Sequence, residues 1–132
     1  MSDTELAARL DLSAGQVVLE IGWDEDADDD LRASIEAVIE GDLVDEDYDD
    51  VADVVLLWAR DEDGDLTDAL MDASSPLDDG GVIWLLTPKT ARPGHIEPSD
   101  VSEAAKTAGL TLNKPVAISS DWTAMKLVPP KR

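Results

Sequence analysis

Three observations predict an α/β fold, a three-layer sandwich of three parallel strands followed by a C-terminal antiparallel hairpin. Apolar runs at residues 17–21, 51–59 and 82–86 are continuous rather than alternating, as in parallel strands covered on both faces. Stretches with helical spacing of apolar residues separate these runs, which implies parallel crossovers, right-handed by the usual rule. Two further short runs close the chain around a tight "SDW" joint.

The elements follow in order. Residues 1–13 read as a flexible lead, and residues 14–132 as one Rossmann-like domain. The first strand, "VVLEI", ends at Gly22. In "DDDLRASIEAVIEGD", Leu31, Ile35, Val38 and Ile39 share one helical face. Asp28 or Asp29 is placed to cap its start, and Gly41 sits where a C-cap glycine belongs. The second strand, "VADVVLLWA", leads into "DGDLTDALMDASSPL", with Leu66, Ala69, Leu70 and Ala73 on one face and Asp65 as N-cap. The third strand, "VIWLL", precedes "EPSDVSEAAKTAGL". There Asp100 and Glu103 have capping-box spacing, Ser99 is the alternative cap, and Gly109 is a stop. The hairpin strands are residues 112–119 and 123–128, and Pro115 assigns the first of them to a sheet edge.

Composition narrows the chemistry. Against 31 acidic side chains stand 10 Lys and Arg, a net charge of −21. Such a surface repels nucleic-acid backbones and favours basic partners, cations or plain solubility. With no cysteine and a single histidine, His95, neither disulfides nor a His/Cys zinc site can be assembled. No secretory signal and no apolar run of membrane-spanning length is visible, so a cytoplasmic protein without membrane contact is expected.

The order of elements resembles the class I methyltransferase fold with one large deletion. "VVLEIG" is similar to that family's first strand, and residues 53–128 resemble its C-terminal half. The resemblance implies that the last strand inserts beside the third. Two strand–helix units of the full family have no room between the first two strands. More narrowly, "VDEDYDDVADVVLLWARDEDGDLTDALMDA" and "GGVIWLLTPKTARPGHIEPSDVSEAAKTAGL" resemble a family of small acidic bacterial proteins of unknown function. That likeness covers nearly the whole chain and implies no established activity.

Three groups of residues are candidates for chemistry. After "VVLEIG", a cofactor turn needs further glycines so that backbone amides reach the ligand. Here Gly22 is followed by Trp23 and by Asp24, Glu25, Asp26, Asp28, Asp29 and Asp30. No cofactor is therefore expected, S-adenosylmethionine included, although Glu20 occupies the methyltransferase motif's acidic position. Asp61, Asp63, Asp65 and Asp72 have part of a calcium-loop spacing, but Leu66 stands where that loop needs glycine. Calcium held by these four carboxylates is one reading, and a capped helix start is the other. Finally, the carboxyl ends of the strands, where open sheets place ligands, bring together Trp23, Asp24, Asp26, Trp58, Arg60, Asp61, Thr87 and Lys89, with Arg92 and His95 from the next loop. Lys89, Arg92 and His95 could clamp a ligand or neutralise the facing acids. Trp58 and Trp84 read as core, whereas Trp23 and Trp122, at strand–loop junctions, read as exposed. The acidic stretch around Tyr48 reads as a returning polar loop, and Ser119, Ser120 and Asp121 as a turn.

The functional expectation is a non-catalytic methyltransferase-like module whose acidic crevice binds a basic protein or peptide. The alternatives are a small-molecule binder or enzyme at the same crevice, and a DNA mimic. Direct nucleic-acid binding is not expected.

Overall fold

The computed structural model describes residues 10, 12–25, 27, 29–45, 47–48, 50–61, 64–89, 92, 94–117 and 122–129, without the side chains of 78–80 and 114–117. Five strands and three helices alternate as β1 (Val18–Ile21), α1 (Asp29–Ile39), β2 (Ala52–Trp58), α2 (Leu66–Ser74), β3 (Leu77–Pro88), α3 (Pro98–Thr107), β4 (Thr111–Ala117) and β5 (Trp122–Val128). The sheet order is β1-β2-β3-β5-β4. β1, β2 and β3 are parallel, and β5 inserts antiparallel between β3 and β4.

Burial on both faces explains the continuous apolar runs. Alternate strand residues feed two cores. Leu19, Val55, Leu57, Ile83, Leu85, Met125 and Leu127 pack beneath α2 and α3. Val18, Val54, Leu56, Trp58, Trp84, Leu86 and Trp122 pack beneath α1. Leu31, Ile35 and Ile39 are the buried apolar stripe of α1, as their spacing predicts, while Val38 is half-buried.

α1 and α2 lie on opposite faces although both connections step the same way along the sheet. Two simple right-handed crossovers would put both helices on one face, so that expectation is corrected for the first connection. Leu43 packs with the α1 side, and Val44 and Tyr48 pack with the α2 side. Between them the chain rounds the outer edge of β1. There Val44 N–H donates to Val18 O at 3.0 Å, and Glu20 N–H to Val44 O at 2.8 Å. Among the described residues, this one bridge covers the outer edge of β1.

Several boundaries move. The core starts before residue 14, because Leu10 is buried and its carbonyl accepts from Trp84 Nε1 at 3.1 Å. Residues 1–9 and 11 of the expected lead lie outside the described residues. β3 begins at Leu77, ahead of the expected run at 82–86, because Leu77 pairs with Ala52 before a register shift. α3 begins after Glu97, with Pro98 at its first turn, rather than at Ser99 or Asp100. Its fixed φ and missing N–H suit Pro to that position. The left-handed residue after α1 is Glu40, not Gly41. At α3, Gly109 is the stop that was expected: Leu110 N–H reaches Ala105 O, and Gly109 N–H reaches Lys106 O. That pair of bonds is a Schellman closure. Pro115 lies on the edge strand, beside an irregularity between Leu112 and Pro115. Asp28 and the 118–121 turn lie outside the described residues.

Candidate functional site

Glu20 points from β1 toward α1, on the same face as Val18, and is buried. A carboxylate there needs partners, because an unpaired buried charge is costly. Arg32, one turn into α1, supplies a fork: Nε to Oε2 at 2.7 Å and one terminal nitrogen to Oε1 at 2.9 Å. Trp58 Nε1 from β2 donates to Oε2 at 2.9 Å. The pairing with Glu20, more than that with Asp29, raises Arg32 above the ordinary arginine pKa, while burial opposes the rise. The Trp23 ring lies over the Arg32 guanidinium at 5.7 Å and is 52% exposed, so this junction tryptophan faces solvent as expected.

Gly22 brings the loop after β1 onto the end of β2. Its φ is +81°, and a Cβ built there would lie 2.3 Å from Trp58 O. The glycine therefore serves a close backbone approach within the protein. Arg60, also buried, donates to Gly22 O at 2.7 Å, and its guanidinium lies over the Trp122 ring at 5.4 Å. Trp122 meets Trp58 edge-to-face at 4.8 Å and is only 2% exposed, which corrects the expectation that it is exposed. Its position next to a turn suggested exposure, but insertion of β5 beside β3 carries it under α1. The β1–β2 half of the strand-end region is thus packed with the chain's own arginines and indoles.

The β3 end differs. Thr87, Lys89 and His95 line an open pocket of about 350 Å³, together with Ile96, Thr123 and Met125. Thr87 pairs directly with Thr123 across the β3–β5 ladder. His95 Nδ1 lies 2.9 Å from Pro88 O. A carbonyl only accepts, so Nδ1 carries the proton and Nε2 is left for other partners. Backbone bonds from Arg92 N–H to Lys89 O and from His95 N–H to Arg92 O hold the turn. Arg92 itself is exposed and does not line this pocket. The ten residues assigned to one crevice therefore fall into two places. Trp58 and Arg60 belong to the packed half, with Trp23 and Asp24 exposed at its edge, while Thr87, Lys89 and His95 belong to the open half. Asp61 N–H donates to Gly94 O between them, and Asp26 lies outside the described residues.

Of the calcium-like spacing, Asp65 and Asp72 do not converge. Asp65 caps α2 by accepting from Thr67 N–H at 2.8 Å. Asp72 lies two turns further along that helix, about 10 Å away by helical rise. It lines a hollow of about 600 Å³ beside Leu19, Ile21 and Tyr48, at the other end of α2. Asp63 lies outside the described residues, and among the described residues no three His, Cys, Asp or Glu side chains form a metal-holding group.

Sequence reasoning overlooked Arg32 and Thr123. A lone arginine one turn after an acidic helix start, opposite a strand glutamate, was the available signal for the first. Thr123 depends on the β3–β5 register, which no local pattern carries.

Residues 7–131 match a family described as "Protein of unknown function (DUF3052)". Uncharacterized proteins of Mycobacterium bovis and Mycobacterium tuberculosis are 54% identical over 125 residues, covering 95% of this chain and 78% of theirs. Among solved structures, an O-methyltransferase from neocarzinostatin biosynthesis, in complex with S-adenosyl-L-homocysteine and 1,4-dihydroxy-2-naphthoic acid, superposes with a TM-score of 0.71 at 15% identity. The match covers 96% of this chain but 53% of that one, so this chain spans about half its length. A TehB-like SAM-dependent methyltransferase from Corynebacterium glutamicum gives a TM-score of 0.59 at 16% identity, covering 97% of this chain and 87% of that one. At such identities the likeness is one of fold.

Proposed function

The chain belongs to this DUF3052 family of unknown function, and on that premise we propose that it is a methyltransferase-fold binding module that docks a basic peptide or protein surface at the β1 end. The observation that carries the reading is the Glu20–Arg32–Trp58 network. In our reading the residues there do not fit S-adenosylmethionine. The motif carboxylate is already spent on Arg32 and Trp58, and Gly22 is closed against Trp58 O. What the β1 end offers outward is Trp23, with exposed Asp24, Glu25, Asp29 and Asp30 around it. An exposed, preorganised indole among carboxylates suits a cationic partner, combining an aromatic anchor with electrostatic steering.

Titration of the labelled chain with an octa-arginine peptide at low salt tests this. Amide shifts should centre on residues 22–25 and 29–30, and Trp23→Ala should weaken binding about tenfold, as loss of an aromatic anchor does. Shifts spread evenly over the acidic surface would overturn the reading, as would calorimetric binding of S-adenosylmethionine at micromolar concentration. A second reading, small-molecule binding at the β3 end, is favoured by the pocket that Thr87, Lys89 and His95 share.

A further inference from the structure

In a chain with 31 acidic side chains, no carboxylate is among the described residues that line the pocket at the β3 end. We propose that it binds small organic oxyanions, a carboxylate or phosphate group on a compact apolar body. The proposal rests on the small-molecule reading of this pocket and gives it a ligand class.

The polar groups are of the right kind. Lys89 brings a full positive charge, and His95 presents Nε2 because Nδ1 is committed to Pro88 O. Nε2 accepts from a ligand hydroxyl when the ring is neutral and donates to a ligand oxygen when it is protonated. Thr87 is buried, with 2% exposure, and lines the pocket. A threonine hydroxyl on a pocket wall both donates and accepts, so it can meet an oxyanion. Thr123 adds a second threonine across the ladder.

The frame adds to this. α3 starts at the pocket rim with Pro98, so the positive end of a ten-residue helix lies beside it. Glu97 and Asp100 flank that end, but both are exposed and neither lines the pocket. Ile96 and Met125, both buried, provide an apolar floor. A volume of about 350 Å³ matches a small ring or branched chain rather than a nucleotide.

Heteronuclear NMR titration of the full chain decides it, with benzoate, phenyl phosphate, benzamide and benzylamine as separate probes. Benzoate or phenyl phosphate should shift the amides of Thr87, Lys89, His95 and Thr123, and whichever binds more tightly names the oxyanion. Lys89→Gln should weaken that binding about tenfold and leave benzamide unchanged, whereas Lys106→Gln, at the far end of α3, should alter neither. Thr87→Val is the second variant and should weaken the oxyanion alone. Benzamide or benzylamine binding as tightly as the anions would overturn the oxyanion class while keeping the pocket as a ligand site. No localised shift with any probe would overturn the pocket reading as well.

Discussion

Gly22 illustrates how a residue can keep its place in a fold and change its purpose. Its left-handed φ and its closeness to Trp58 O mean that Gly22→Ala should destabilise the protein by about 3 kcal/mol in a denaturant titration. A loss under about 1 kcal/mol would show that the loop gives way. Arg32 is the second decisive residue. Removing it strands a buried carboxylate, so Arg32→Met should cost about 2–3 kcal/mol, lessened by its partial exposure. The double variant Glu20→Leu/Arg32→Met should recover part of that loss, because the stranded charge is gone, but not all, because Trp58 Nε1 then lacks its acceptor. Arg32 has a raised pKa, so its contribution is fully present below the unfolded arginine value and is lost only as pH rises through the still higher folded one. The stability gap between the wild type and Arg32→Met should therefore stay constant from about pH 8 to 11. A gap that closes within that range would contradict the pairing.

At the scale of elements, helix faces and the Gly109 stop were legible because they follow from 3.6-residue spacing and from a local backbone requirement. Exact ends were less so. Glu40 takes the left-handed position after α1 at φ 57°, one residue before the glycine that would take it without strain. Gly15 N–H reaches back to Ile39 O at 2.8 Å, so a distant loop fixes where this helix stops. Glu40→Gly should raise stability by up to about 1 kcal/mol, less the added freedom of the unfolded chain. A fall in the melting temperature would mean that the Glu40 side chain contributes more than its backbone costs. The start of β3 was hidden for a similar reason: Leu77 is held by pairing with Ala52 across the sheet, not by any local strand pattern.

For the whole molecule, a net charge of −21 on a chain of 132 residues opposes compaction. Raising NaCl from about 0.01 M to 0.5 M shortens the screening length several-fold and should raise the melting temperature by about 5 °C. A flat or falling curve would show that the carboxylates are arranged without net repulsion. Among the described residues no helix is long and apolar enough to cross a membrane. The continuous apolar runs, the helical spacings and Pro115 determined the three-layer architecture and the edge position of β4, because burial on two faces writes itself directly into residue order. Tertiary structure alone decided the site. Whether the strand-end crevice was open depended on Arg32 finding Glu20 across twelve positions, on Arg60 reaching Gly22 O, and on β5 carrying Trp122 onto Trp58. These are side-chain meetings between elements far apart in the chain, and local periodicity contains no record of which partner each one meets.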